Sequence, residues 1–220
     1  MTNAATSLQL NTLSKLIILA LITLVFSHLC YANSTALRPI SAPPDYIYGA
    51  TNAPVSIIMY SDFSCPYCKK LRLTLKKLVN NSSGQINWVY RHFPLEGNIP
   101  ESMRQAQSIE CAGKISGSDG FWALTHNLFN LPVQTSNNID QRIALAARKS
   151  QLNVNELMKC LNNNMFQQRI NADQKEAQSL GFTGTPGLVF INNKNNQTIV
   201  KQGALNLKNL TLFSQTIANK

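Results

Sequence analysis

The most constraining feature of the sequence is a Cys-x-x-Cys motif at the junction between a short apolar stretch and an amphipathic one. The apolar stretch, Val55 to Tyr60, is rich in β-branched residues and is typical of a buried β-strand. After the motif, Leu71 to Val79 carries leucines at helical spacing among lysines, which predicts an amphipathic helix. The motif itself is Cys65-Pro66-Tyr67-Cys68, and its proline suits the first turn of a helix. The cysteines are therefore predicted at the N-terminus of a helix that follows a strand.

Cys-x-x-Cys motifs serve mainly as zinc sites or as redox centres, and the position of this one favours redox chemistry. A structural zinc site needs four Cys or His ligands, whereas Cys111 and Cys160 are single, widely separated and without a neighbouring His. We therefore predict no metal and no cofactor. At a helix N-terminus, unpaired N–H groups and the helix dipole stabilise a thiolate, here that of Cys65. A structural disulfide between Cys65 and Cys68 is the alternative.

The helix dipole alone cannot make Cys65 strongly acidic. Its contribution of about 0.3–2 kcal/mol corresponds to roughly 0.2–1.5 pKa units. Any larger shift must come from direct hydrogen bonds and from the dipeptide Pro66-Tyr67, whose tyrosine carries a hydroxyl but no positive charge. We expect Cys65 to be moderately acidic and the more exposed of the two sulfurs.

The sequence beyond the first helix predicts a second strand and then a long helical region. Apolar Ile86, Trp88 and Tyr90 occupy alternate positions, and a strand, a helix and a strand in succession imply a parallel crossover. From about residue 100 to residue 180 the apolar spacing is helical, with Asp140 and Asn153 as predicted N-caps.

The C-terminal part of the chain predicts a return to sheet structure. Two apolar stretches between residues 187 and 201 flank a run of Asn and Lys residues, the pattern of a β-hairpin, and a last helix follows from about 207 to 217. The predicted organisation is α/β, with sheet-forming parts at residues 46–99 and 181–220 and a helical insertion at residues 100–180.

The N-terminal residues 1–32 have the pattern of a secretory signal peptide. Lys15 precedes an apolar run over residues 16–29, and small residues follow it. We expect cleavage near Asn33, which leaves residues 33–45 as an N-terminal lead and places the protein in the periplasm or outside the cell. An uncleaved membrane anchor is the alternative, because the run is near the lower length limit for a spanning helix.

Charge and cysteine content narrow the class of protein further. The net charge of +10 comes from scattered Lys and Arg residues without an aromatic–basic stripe, so we predict no nucleic-acid partner. Of the 5 cysteines, Cys30 falls within the signal peptide. The four others are an even number, which suggests pairing in an oxidising compartment.

A second motif, Gly184-Thr185-Pro186-Gly187, stands just before the apolar strand of the hairpin. Together with the cysteine motif it makes the chain resemble the DsbA-like branch of the thioredoxin superfamily, over nearly all of residues 46–218. Four segments match in order: Ser61-Asp62-Phe63-Ser64-Cys65-Pro66-Tyr67-Cys68; Arg91-His92-Phe93-Pro94-Leu95; Phe121-Trp122 with His126 and Leu128-Phe129; and Gly184-Thr185-Pro186-Gly187-Leu188-Val189-Phe190.

The resemblance implies a thioredoxin fold with an inserted all-helical domain. It also implies that Cys65 is the attacking sulfur, Cys68 the resolving one, and Thr185-Pro186 a cis-proline loop that binds an extended client peptide. Some members of the family carry a pair like Cys111 and Cys160. A bridge there would close a loop of about 50 residues and contribute roughly 4 kcal/mol at most; two buried free thiols are the alternative.

The sequence departs from the family at one position. Many members carry a carboxylate six residues before the first cysteine, thought to assist proton transfer at the buried sulfur, and here that residue is Met59. Asp62 is closer to the motif in sequence, but nothing in the sequence directs it towards Cys68, so the proton acceptor is unassigned. We interpret His92 and His126 as structural residues.

We expect a thiol oxidase that introduces disulfides into reduced or unfolded client proteins. By resemblance, a DsbB-like, quinone-linked membrane protein would reoxidise it. A disulfide isomerase or reductase of the same fold is the first alternative, and a disulfide-stapled binding protein or chaperone is the second. We expect a monomer, since the segment between Asn33 and Val55 is too short for the dimerisation domain of exported isomerases.

Overall fold

A computed structural model describes residues 37–41, 45–95, 99–132 and 138–220 of the chain. The predicted signal peptide and much of the predicted lead lie outside these residues. Within them, no helix combines the length and the apolar character needed to cross a bilayer.

The centre of the fold is a mixed, five-stranded sheet in the order β1-β3-β2-β4-β5. β2 runs parallel to β3, as the predicted crossover requires, and antiparallel to β4. The short edge strand β1, which we did not predict from the sequence, pairs with β3. The strand bounds are β1 Ile47–Tyr48, β2 Val55–Ser61, β3 Ile86–His92, β4 Gly187–Asn192 and β5 Thr198–Gln202.

Six helices accompany the sheet in the part of the chain that the structure describes. Four of them, α2 to α5, lie in sequence between β3 and β4, as predicted. The helix bounds are α1 Pro66–Asn80, α2 Ile99–Asn130, α3 Ile139–Lys149, α4 Val154–Asn162, α5 Gln167–Ser179 and α6 Leu207–Ala218. The long α2 is interrupted at Ser116 and Gly117, where Gly117 has a positive φ of 61°.

The two faces of β2 belong to two separate apolar clusters, because successive side chains of a strand point to opposite faces. All seven residues of β2 are buried. Ile57 and Met59 pack in the larger cluster, to which α1, α6 and the inserted helices contribute, whereas Ile58 and Tyr60 pack in a smaller cluster that includes Ala177 of α5. The sheet is therefore covered on both sides, and the end of β2 emerges between the two helical layers.

The helix caps correct one prediction. Asn153 caps α4 as expected, because its side chain accepts a hydrogen bond from the backbone N–H of Glu156. Asp140 does not cap α3; the cap is Asn138, whose side chain accepts from the N–H groups of residues 140 and 141. Asp140 is instead the ion-pair partner of Arg104, with N–O contacts of 2.7 and 3.0 Å.

A buried ionic cluster joins the chain before β1 to β3 and α5. Arg91, 1% exposed, contacts Glu176 at 2.5 Å and Asp45 at 3.0 Å. Arg38 also pairs with Glu176, at 2.7 Å, and the Tyr60 hydroxyl donates to the same carboxylate. Each buried charge therefore has opposite charges around it, which is the condition for keeping ions inside a protein.

Candidate active site

The two cysteines of the motif lie at the start of α1, where β2 ends. Cys65 is the N-cap residue with extended backbone angles (φ −85°, ψ 116°), and Pro66 is the first residue of the helix. Cys65 is 6% exposed and Cys68 is fully buried, and both are free thiols in this structure. Cys65 is thus the more accessible sulfur, although far less open than a surface cysteine. The side chain of Tyr67 beside it is 62% exposed.

The loop that holds Thr185 and Pro186 covers Cys65 from the opposite side. The Thr185–Pro186 peptide bond is cis, and the Sγ–H of Cys65 donates to the Thr185 carbonyl oxygen at 3.3 Å. The loop arrives there because β4 pairs with β2 in a register that places Gly187 opposite Tyr60, the residue before the end of β2. A side chain at position 187 would lie 2.6 Å from the ring of Phe182, so this strand start requires glycine.

Hydrogen bonds lower the pKa of Cys65 to about 6. The largest cause is the hydrogen bond from Cys68; burial opposes it, and the Thr185 side chain and the backbone N–H groups of residues 67 and 68 lower the pKa further. At pH 7 a thiol of this pKa is roughly nine-tenths ionised, against a few per cent for a free cysteine. The direct hydrogen bonds expected from the sequence are therefore present.

Cys68 has the opposite character. Burial raises its pKa, and the neighbouring Cys65 thiolate raises it further, while the Ser61 hydroxyl and the backbone of Asp62 act in the other direction. Only one of the two sulfurs therefore ionises near neutral pH. The arrangement gives one nucleophile and leaving group at the more accessible sulfur, Cys65, and one protonated thiol, Cys68, buried beneath it.

Two hydroxyl groups near Cys68 were not predicted from the sequence. Tyr90 is opposite Met59 in the register of β2 and β3, and Ser61 is two residues further along β2 on the same face. Both residues are buried, and their hydroxyls interact in sequence: the Tyr90 hydroxyl with Ser61, and the Ser61 hydroxyl with Cys68. Alternation along the two strands could have indicated them, because residues 59, 61 and 90 fall on one face of the sheet.

Asp62 has a structural role. Its carboxylate accepts hydrogen bonds from the backbone N–H groups of Ser64 and Leu95, both at 2.7 Å, and from the Ser102 hydroxyl at 2.8 Å. These contacts fix the loop before α1 to the start of α2. The Asp62 carboxylate is therefore already engaged in hydrogen bonds to these groups. Met59 is fully buried in the core, and its side chain has no group that could accept a proton from Cys68.

The other cysteines and the two histidines lie apart from the redox pair. Cys111 of α2 and Cys160 of α4 form a disulfide with a Cα–Cα distance of 5.9 Å. His92 pairs with Glu110 at 2.8 Å, and His126 contacts Arg72 at 3.0 Å. Among the described residues, no three His, Cys, Asp or Glu side chains come together as metal ligands.

Comparison with known proteins places this site in a family. The family model described as thioredoxin matches residues 41–206. A sodium/proton antiporter, NhaA 1 of Mycolicibacterium gilvum, is 28% identical over 158 residues, which are 72% of this chain and 25% of that protein. The match to this chain thus spans a quarter of that antiporter and 13% of several others. A probable disulfide bond formation protein D of Bacillus cereus is 25% identical over 66% of this chain and 68% of its own.

Solved structures match over most of the chain. DsbA2 of Pseudomonas aeruginosa is 27% identical, with a TM-score of 0.69, over 83% of this chain and 98% of its own. Wolbachia pipientis α-DsbA1 has the same TM-score at 20% identity, over 83% and 94% of the two chains. A periplasmic thioredoxin-like protein of Salmonella enterica has a TM-score of 0.62 at 19% identity, over 83% of this chain and 100% of its own. The last two likenesses concern the fold alone.

Proposed function

The chain belongs to the thioredoxin family, in its DsbA-like branch, and from this membership we propose that it is an exported thiol oxidase that introduces disulfides into client proteins. The observation that supports this most directly is the pair of unequal sulfurs: an acidic Cys65 at the start of α1 and a buried, weakly acidic Cys68. The Thr185–Pro186 loop faces the accessible one.

The proposed reaction transfers two electrons from a client to the cysteine pair. A client thiolate attacks the Cys65 sulfur of the Cys65–Cys68 disulfide, forms a mixed disulfide and expels the Cys68 sulfur, which takes up a proton. A second thiolate of the client then attacks the client sulfur of the mixed disulfide and expels Cys65 as a thiolate. The client leaves with a disulfide, and the protein leaves with two reduced sulfurs.

The low pKa of Cys65 favours the oxidase over the reductase. A thiolate of low pKa is a better leaving group, so the client displaces it readily in the second step. The same hydrogen bonds stabilise the reduced form relative to the disulfide, which makes the disulfide the stronger oxidant. A reductase needs the opposite, a disulfide that is more stable relative to the reduced form.

We further propose reduced or unfolded polypeptides as clients and a DsbB-like, quinone-linked membrane protein as the oxidant that regenerates the disulfide. The loop before β4 offers backbone groups beside Cys65, the arrangement by which an extended peptide adds to a sheet edge. Export is supported by the leader-like pattern at residues 1–32 and by the likeness to a protein described as periplasmic. We propose that the exported chain works as a monomer.

The test is oxidation of a reduced model client by the chain, followed as disulfides formed per enzyme. Cys65→Ser is expected to abolish turnover. Cys68→Ser retains the Cys65 thiolate, and when offered a client disulfide it is expected to accumulate a mixed disulfide, because no second sulfur can resolve it. Equal loss in both variants with no trapped species would contradict the assigned roles, as would full turnover in Cys65→Ser.

The reduction potential of the Cys65–Cys68 couple separates the oxidase from its alternatives. Equilibration with glutathione is expected to give an oxidising value, well above the roughly −270 mV of thioredoxin. A value near that of thioredoxin would favour a reductase. If the protein oxidises, reduces and isomerises no client, the remaining alternative is a disulfide-stapled binding protein or chaperone.

A further inference from the structure

An open cavity of about 480 Å3 lies between the flank of α1, the second half of α2 and the end of α3. Its lining includes neither cysteine of the redox pair, nor Ser61 or Thr185. The lining residues are Tyr48, Arg72, Lys76, Trp88, Trp122, Ala123, Thr125, His126, Asn127, Lys149, Ser150 and Gln151. Its volume is in the range of small-molecule sites.

The charge around the cavity is of one sign. Three cations line it, Arg72, Lys76 and Lys149, and no residue of the lining carries a carboxylate. Lys149 belongs to the last turn of α3 and is exposed, whereas Lys76 lies over the ring of Tyr48 at 5.9 Å. A concave site lined by cations alone concentrates positive potential and attracts anions.

Arg72 is the cation of the cavity whose charge is least compensated by its neighbours. The side chain is 2% exposed, yet its two terminal nitrogens donate to His126, at 3.0 Å, and to the amide oxygen of Asn130, at 2.9 Å. Among the described residues it has no carboxylate partner. Arg91, the other buried arginine, has two. A buried cation with neutral partners only is costly, and a bound anion would offset that cost.

His126 does not relieve the positive field. Burial lowers its pKa, and the charges of Arg72 and Lys76 lower it further. The imidazole is therefore neutral at pH 7, with one ring nitrogen engaged by Arg72. The lowered pKa of His126 thus follows from its burial and from the two neighbouring cations.

Part of the cavity wall is aromatic. The rings of Trp88 and Trp122 are 4.6 Å apart, and Tyr48 lies 5.9 Å from the first and 5.4 Å from the second. Tyr48 and Trp122 are half-buried and offer ring surface against which a flat apolar group can stack, and buried Trp88 supports them from behind. An inorganic anion would use the cations and leave this wall without a partner.

We propose that this cavity is a binding site for a small organic carboxylate with a flat, apolar body. The carboxylate lies towards Arg72, Lys76 and Lys149, and the body stacks on the wall formed by Tyr48, Trp88 and Trp122. The site is separate from client oxidation, and occupancy requires no change in the redox pair.

Tryptophan fluorescence gives a direct test, because the chain has 2 tryptophans and both line the cavity. The probe is phenylacetate, titrated into the protein with its redox pair held oxidised. Phenylacetamide is the neutral control of the same shape, and inorganic phosphate is the control without an apolar body. We expect saturable binding of phenylacetate, and binding at least about tenfold weaker for each control.

Variants locate the binding. Lys76→Gln combined with Lys149→Gln is expected to weaken phenylacetate binding roughly tenfold, since each cation contributes a charge-assisted contact. Lys77→Gln is the matched control, because Lys77 is the neighbour of Lys76 on α1 but does not line the cavity. The affinity of this variant for phenylacetate is expected to be unchanged. Each of the following results overturns the proposal: no saturable change at millimolar phenylacetate, equal binding of phenylacetamide or phosphate, or unchanged affinity in the double variant.

Discussion

Cys65 and Cys68 differ in their surroundings rather than in their chemistry, and the surroundings decide which sulfur ionises. Around Cys65, the hydrogen bond from Cys68, the Thr185 side chain and the backbone N–H groups at the start of α1 favour the thiolate against the effect of burial. Around Cys68, burial penalises the charge more than the nearby Ser61 hydroxyl favours it. A single strand end and a single helix start therefore produce two unlike acids three residues apart.

The ionisation of Cys65 is measurable through its reactivity. In the reduced protein, the rate of alkylation of Cys65 by iodoacetamide is expected to rise with pH about a midpoint near 6, the value to which hydrogen bonds lower its pKa. Thr185→Val, which removes one of these hydrogen bonds, is expected to raise the midpoint. Thr183→Val is the control, since the Thr183 hydroxyl contacts exposed Gln202 instead. A midpoint at the pKa of a free cysteine would contradict the arrangement.

The Ser61 hydroxyl is expected to matter when Cys68 leaves. Attack on Cys65 expels Cys68 as a thiolate in a fully buried position, where the Ser61 hydroxyl lowers the pKa of that sulfur. Ser61→Ala is therefore expected to slow reduction of the Cys65–Cys68 disulfide by a thiol peptide roughly tenfold or more. The measurement is a rapid-quench time course.

The control for this prediction is Ser214→Ala. It removes another buried hydroxyl, one that bonds only to the Leu210 carbonyl of its own helix. Its reduction rate is expected to equal that of the unaltered protein. If both variants react at the unaltered rate, Ser61 has no part in the step.

At the scale of elements, local patterns predicted most helices and strands, and contacts between distant segments decided the exceptions. The strand before the motif, the helix after it and the hairpin at 187–201 follow from spacing alone. The edge strand β1 has only two residues and forms because β3 offers it a partner, which no local pattern reveals. Asp140 was a plausible cap in sequence, but Arg104 from α2 holds its carboxylate.

The Cys111–Cys160 disulfide ties α2 to α4 across a sequence separation of 49. Replacing both cysteines by alanine is expected to lower the free energy of unfolding by up to about 4 kcal/mol, because the unfolded chain regains the entropy of that loop. Urea unfolding measures it. The alkylation midpoint of Cys65 is expected to be unchanged, since the bridge lies outside the redox site. A shifted midpoint would mean that the inserted helices help to position the cysteines.

At the scale of the molecule, the buried ionic cluster links three parts of the chain and makes stability depend on pH. Burial alone would raise the pKa of Glu176 and Asp45, but the charge of Arg91 lowers both, together with hydrogen bonds from Arg91 to Asp45 and from Tyr60 and Arg38 to Glu176. Their ordinary values are 4.5 and 3.8. The stabilisation is therefore complete above these values and is lost as the pH falls through the lower values of the folded protein.

Glu176→Gln is expected to destabilise the protein by about 3 kcal/mol or more at pH 7, because Arg91 loses a buried partner. In this variant, the free energy of unfolding is also expected to decrease less as the pH falls below about 4.5. Asp140→Asn is the control: it removes an ion pair whose carboxylate side chain is 41% exposed, which is expected to cost about 1 kcal/mol or less. Urea unfolding from pH 3 to pH 7 measures both, and equal losses in the two variants would contradict the importance of burial.

Sequence motifs predicted the part of the candidate site that is made by chain-local geometry. Cys65 and Cys68 are placed by the strand and helix that flank them, and Thr185 by the strand that follows it. The sequence did not predict the hydroxyls of Ser61 and Tyr90 near Cys68, because the register between β2 and β3 brings these two residues close together. Registers and buried charges are decided by the packing of the whole molecule rather than by the residues beside them.

The distance along the chain between the two halves of the site has a consequence for timing. Cys65 and Thr185 are 120 positions apart, so a chain made from its N-terminus presents its cysteine helix long before the segment that faces it exists. The groups from that segment that acidify Cys65 arrive only when β4 pairs with β2. Until then Cys65 lacks one of the hydrogen bonds that lower its pKa. We therefore expect the thiol to reach its full acidity only when the C-terminal part of the chain has folded onto β2.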